Sequence, residues 1–114
     1  MRQMKVSTSR NNGVCVLSLA GDLLGDSEAA LLSAIGDLIE EGENRFVVDL
    51  NGVGFMNSAG LGELVRVTAQ VNLREGQLVL TNVSPFIAGV LRATSLDRFF
   101  NVCNTMDEAL ASLT

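Results

Sequence analysis

Residues 48–66 read VDLNGVGFMNSAGLGELVR, and this stretch decides how the chain folds. It begins inside an apolar run, residues 46–50 (FVVDL), of the kind that forms a strand covered on both faces. A loop with Gly52 and Gly54 follows, and Ser58 then opens a helix. Leu61, Leu64, Val65, Thr68 and Val71 recur at helical spacing and predict its inner stripe. Glu63, Arg66, Gln70 and Arg74 fall on the outer one, with Glu63 and Arg66 spaced as an i,i+3 pair. A strand, a loop and a long helix make one βα unit, so the next strand is expected to run parallel.

The same alternation extends in both directions. Residues 4–9 read as a weak strand and residues 14–20 (VCVLSLA) as a strong one, with Asn11-Asn12-Gly13 as the hairpin turn between them. After a loop over residues 21–26, Ser27 is the expected N-cap of a helix. Its apolar stripe is Leu31, Leu32, Ile35, Leu38 and Ile39, and Gly42 ends it. Glu40, Glu41 and Glu43 read as the solvated end of that helix. Downstream, Gly76 closes the helix that Ser58 opens, and residues 77–81 (QLVLT) form a strand. Ser84-Pro85 starts a helix with Phe86, Ile87, Val90 and Leu91 at helical spacing. Residues 99–103 form a last strand, with one ring of Phe99-Phe100 inward and one outward. Thr105 and Glu108 form a capping box ahead of Leu110 and Leu113. The pattern predicts one α/β domain over 1–114, with an opening hairpin, a mixed sheet and about four helices.

Composition narrows the function. A chain of 114 residues that is 47% hydrophobic buries a core without metal or disulfide. Eight Lys+Arg against 13 Asp+Glu leave a net charge of −5, which argues against nucleic acid. Lys5 is the single lysine, so little is offered to an anionic membrane. His, Trp and Tyr are absent, which removes the commonest general base and metal ligand. No catalytic residue, metal or cofactor is therefore expected, and Ser58 has no His to make it a nucleophile. Cys15 and Cys103 sit in apolar runs and read as reduced core residues, as Met56 reads as core. With no apolar leader in MRQMKVSTSR and no membrane-length apolar run, the expectation is a soluble cytoplasmic domain.

Gly60 and Gly62 both fall near the start of the Ser58 helix, where each costs roughly 1 kcal/mol against Ala. Two accounts stand: close packing of that turn, or space cleared around Ser58 for a partner or a phosphate. A phosphoryl group on Ser58 would meet the positive end of the helix dipole. It would add about −1.5 to −2 charges, which any partner docking there would have to desolvate. Such a switch needs no refolding. An acid–base reading is also open, since Asp22, Asp49 and Ser58 would lie beyond the carboxyl ends of the strands. Asp49 is more simply a ligand of loop amides, and Asp22 a solvated carboxylate.

The segment VVDLNGVGFMNSAGLGELVRV resembles the signature of STAS domains, and specifically of bacterial anti-sigma factor antagonists. LSLAGDLL and VSPFIAGVLRATSLDRFFNV resemble further family segments, so the likeness spans nearly the whole chain. The resemblance implies a STAS-type mixed sheet of four to five strands flanked by helices. It also implies a module that binds an anti-sigma factor with a GHKL-type kinase fold and so releases a sigma factor. That kinase would switch it off at Ser58, and a PP2C-type phosphatase would reverse the step. By position, the contact face implied is Asp22, Asp26, Asn57, Ser58, Ala59, Gly60, Gly62, Glu63, Arg66, Val67 and Gln70. The family's usual Asp before the serine is Asn57 here, its common second Ser is Ala59, and the frequent Asp of G-E-L-D is Leu24. A monomer or weak dimer is expected. The alternative on the same fold is a STAS subunit of a lipid-transport ABC system or a stressosome-like scaffold.

Overall fold

Asn12 and Gly13 hold φ of 53° and 80°, the left-handed pair that a two-residue hairpin loop needs. They join β1 (Lys5–Asn11) to β2 (Val14–Ala20) in antiparallel register, with Asn11 opposite Val14. The computed structural model describes residues 4–25 and 30–114, so the expected Ser27 cap and Asp26 lie outside the described residues. The elements that follow are α1 (Ala30–Glu40), β3 (Arg45–Gly52), α2 (Ser58–Leu73), β4 (Gln77–Thr81), α3 (Pro85–Ala93), β5 (Asn101–Cys103) and α4 (Met106–Leu113). The five strands form one sheet in the order β1-β2-β3-β4-β5, parallel from β2 onward.

Strand alternation sorts the core into two layers. Leu17, Leu19, Phe46, Val48, Leu50, Leu78 and Leu80 face α1, α2 and α3, whose Leu31, Ile35, Leu64, Val67, Val71, Ile87 and Leu91 complete the main cluster. Val14, Val16, Val47 and Val79 face the other way, onto Ala109 and Leu113 of α4. This two-sided cover explains why β2 and β3 read as nearly continuous apolar runs.

Local details follow side-chain chemistry. Gly42, at φ 94°, ends α1 as expected. After α2 the left-handed residue is Glu75, at φ 59°, and not Gly76. Gly76 is required for a different reason: a Cβ there would stand 2.6 Å from the Asn44 carbonyl oxygen. Ser84 Oγ accepts from the Ile87 amide at 3.2 Å, with Pro85 at the first helical position. The last strand is shorter than the pattern predicts. Phe99 and Phe100 lie in the turn before it, edge to face at 5.0 Å, with Phe100 buried and Phe99 outward. Thr105 Oγ1 accepts from the Glu108 amide at 3.1 Å, but Glu108 Oε1 reaches back to the Asn104 amide, one residue before the capping-box position. Among the described residues, no helix is long and apolar enough to cross a membrane.

Of the acidic residues at the end of α1, Glu43 and Glu41 pair with Arg10 at 2.8 and 3.3 Å. Exposed pairs of this kind contribute about 0–1 kcal/mol. Beneath them, burial pushes the Cys15 thiol above its ordinary range, against the opposing pull of the Arg10 guanidinium. Both cysteines are free, Cys15 buried and Cys103 half-buried. Alkylation at neutral pH, followed by intact mass, is therefore expected to modify Cys103 first. Cys15 should react only when the protein is unfolded.

Candidate functional site

The loops around Ser58 are held by a few directed bonds. Asp49, near the end of β3, accepts through one carboxylate oxygen from the Asn51 amide and from Asn82 Nδ2, each at 3.0 Å. One carboxylate thus braces the end of β3 against the β4–α3 connection. The segment after β2 is laid alongside: the Leu23 amide donates to the Phe55 carbonyl at 3.0 Å, and the Asn57 amide donates to the Leu23 carbonyl at 3.2 Å. Leu23 and Met56, both buried, form a parallel bridge there.

Asn57, not Ser58, caps α2. Its Oδ1 accepts from the Gly60 amide at 2.8 Å, with an extended backbone at φ −100° and ψ −177°. Asn is among the strongest N-cap residues, so the position where the family usually has Asp does the capping. Ser58 becomes the first helical residue, with an exposed side chain that no hydrogen bond among the described residues engages. The hydroxyl therefore sits at the positive end of a 16-residue helix without being consumed by it.

The two glycines of α2 separate. A Cβ on Gly60 would collide with the Leu23 carbonyl, and one on Gly25, at φ 60°, would collide with the Ala59 carbonyl. The close-packing account holds for Gly60, although the surface it meets is the β2–α1 connection and not the sheet. Gly62 differs, because a Cβ there meets only Arg66 Nη1, at an ordinary 3.8 Å.

Two residues expected on the outer face are buried. Glu63 is 2% exposed, and its Oε2 accepts from the Leu32 amide at 3.1 Å, in the first turn of α1. Val67 is fully buried. The reason is that α2 rests on α1 as well as on the sheet, so Gly60, Glu63, Val67 and Val71 form a second inward stripe. The expected Glu63–Arg66 pairing gives way to this helix-capping bond. Replacing Glu63 with Ala is expected to destabilise the fold by about 2 kcal/mol, by leaving a helix-terminal amide unpaired in the interior. Glu63→Gln, which keeps an acceptor of the same length, should recover most of that loss in urea unfolding.

Asp22, Asn57, Ser58, Ala59 and Arg66 remain exposed, Gly62 is half-buried, and Gly60 is covered. Gln70 is half-buried, with Oε1 turned inward and unbonded among the described residues. Three exposed apolar residues nearby were not anticipated: Leu24, Phe55 and Phe86. Phe86 has the spacing of a core residue, yet it stacks on Phe55 at the surface, with ring centroids 5.6 Å apart. The signal available in the sequence is a lack of charge, since residues 50–62 and 76–91 contain no Lys, Arg, Asp or Glu.

The geometry does not assemble an acid–base site. An open cavity of about 310 Å³ lies between α3 and β5, and Asp22, Asp49 and Ser58 do not line it. Asp49 is engaged by the Asn51 amide and by Asn82 Nδ2. Among the described residues, no group of three or more His, Cys, Asp or Glu side chains is arranged to hold a metal.

The STAS domain family matches residues 5–109 of this chain. The anti-sigma-F factor antagonist RsfB of Mycobacterium tuberculosis is 30% identical over 111 residues, covering 95% of this chain and 88% of RsfB. The crystal structure of an anti-sigma factor antagonist from Mycobacterium paratuberculosis has a TM-score of 0.83 at 26% identity, over 97% of this chain and 94% of that one. The Bacillus cell fate determinant SpoIIAA in its phosphorylated form shares the fold, with a TM-score of 0.73 at 20% identity over 96% of this chain and 100% of that one. With the family match running from β1 into α4, the chain belongs to the STAS domain family, among its anti-sigma factor antagonists.

Proposed function

We propose that the protein binds an anti-sigma factor, so freeing a sigma factor, and that phosphorylation of Ser58 ends the binding. The observation that carries this reading is the exposed Ser58 hydroxyl at the start of α2, which no hydrogen bond among the described residues engages. Asn57 holds the cap, so a phosphoryl group on Ser58 leaves the helix start intact while the dipole favours the added charge. A partner resting on Ser58, Ala59, Asp22 and Arg66 then has to desolvate that charge, and it leaves. In this reading the partner is a GHKL-type kinase that moves the terminal phosphoryl of ATP onto Ser58 Oγ, and a PP2C-type phosphatase restores the hydroxyl. The mycobacterial relative, named for antagonism of an anti-sigma factor, supports the partner class.

The test is co-expression of the tagged chain with each anti-sigma factor encoded in the same genome. One of them should co-purify without ATP, and with ATP it should dissociate as the chain gains one phosphoryl mass. Ser58→Ala should bind and gain none. Capture of no anti-sigma factor would overturn the reading.

A further inference from the structure

The end of the molecule that bears Ser58 is an uncharged island. In a chain that is 18% charged, residues 50–62 and 76–91 carry no ionisable side chain of Lys, Arg, Asp or Glu. The first stretch includes the β3–α2 connection and the start of α2; the second includes β4 and most of α3. Asn82, in the β4–α3 connection, donates to Asp49 near the end of β3. One ring from each stretch meets at the surface: Phe55 and Phe86 are 45% and 48% exposed and stack with an interplanar angle of 23°. Leu24, 37% exposed, follows Leu23, which is bridged to Met56, the residue after Phe55. A Cβ on Gly54, beside Phe55, or on Gly89, one turn beyond Phe86, would meet nothing within 4 Å. An uncharged aromatic pair on a face that also bears exposed Asp22 and Arg66 has the composition of an interface core with a polar rim.

We propose that the Phe55–Phe86 stack, flanked by Leu24, is the apolar anchor of the docking face and receives uncharged apolar side chains of the anti-sigma factor. This inference rests on the functional reading above and adds where its affinity resides. Continuity identifies the occupant: Phe55 lies three residues before Ser58 on one short connection, so a partner seated on the rings also covers the hydroxyl. Charge argues against a second copy of this chain, because that would bring together two molecules of net charge −5. The island also explains why a dianion at Ser58 is effective. It would place charge beside an apolar stack, on a face whose exposed cation, Arg66, lies about two turns further along α2.

The experiment is calorimetric titration of the full chain with the anti-sigma factor that co-purifies with it. Phe86→Ser is expected to lower affinity roughly 10- to 100-fold, as loss of an aromatic anchor does. Leu73→Ser is the control: Leu73 is 84% exposed at the far end of α2 and should leave affinity unchanged. If Phe86→Ser does not fold, Gly89→Gln keeps both rings and fills the open space beside them, and it should weaken binding by a similar factor. Affinity within about twofold of the parent for these variants would overturn the anchor while leaving the functional reading in place. A parent chain that binds no anti-sigma factor would instead remove the reading itself. Light scattering that finds a dimer of the free chain, dissolved by Phe86→Ser, would reassign the stack to self-association.

Discussion

Ser58→Asp is expected to lower affinity for the anti-sigma factor roughly 30- to 1,000-fold while leaving the fold intact. The estimate follows from the cost of a charge covered without a partner, about 2–4 kcal/mol in an interface. The surroundings of Ser58 make that cost hard to avoid. Residues 50–62 carry no cation, Leu24, Phe55 and Phe86 are exposed, and Arg66 lies eight residues beyond Ser58 along α2. Stability should move slightly the other way. An acidic group in the first turn of a helix contributes about 0.3–1 kcal/mol, so the variant should melt at or just above the parent temperature. Ser58→Ala should bind as the parent does, because the hydroxyl makes no hydrogen bond among the described residues that the fold depends on. A phosphoserine carries more charge than Asp and should have the larger effect.

Gly60→Ala and Gly62→Ala should change stability in opposite directions, although they lie two residues apart in one helix. An added methyl at Gly60 meets the backbone carbonyl of Leu23, which cannot swing aside as a flexible side chain would. Leu23 is itself pinned by its bridge to Met56 and by its hydrogen bonds to Phe55 and Asn57. Overpacking against such a site costs about 1–3 kcal/mol beyond the gain in helix propensity. The expected result is a loss of about 2 kcal/mol and a melting point lower by roughly 8 °C. At Gly62 the new methyl finds only an ordinary contact with Arg66, so the propensity gain survives as about 0.5–1 kcal/mol of added stability. Urea unfolding of both variants beside the parent checks the signs. Equal destabilisation of the two would contradict the packing described for the start of α2.

What could be read from residue order depends on how many neighbours each element has. The alternation of strands and helices and the hairpin were legible because periods of 2 and 3.6, the Asn-Gly turn and the Ser-Pro helix start are local signals. Glu63 and Val67 were misplaced because a helical wheel assumes one inner stripe, and α2 has two faces covered. No local feature announces that a glutamate will cap another helix across a distance of 31 residues. The start of α2 at Ser58 was legible, but Asn57 and Ser58 are both good cap residues and only the backbone angles assign the cap to Asn57. Phe86 shows the opposite limit. Its spacing fits the buried stripe of α3, but Ile87 takes the core position in that first turn and Phe86 stacks on Phe55 at the surface. Ser58 is singled out by its position at a helix start and by the resemblance, and in the structure it is exposed at the first position of α2.

The most direct test compares the chain phosphorylated at Ser58 with the unmodified chain in two measurements on the same sample. Amide spectra should match except around residues 55–62 and the connections that touch them, and titration with the anti-sigma factor should show binding for the unmodified chain alone. Undiminished affinity of the phosphorylated chain, or a loss of affinity that accompanies unfolding of the sheet, would contradict the account.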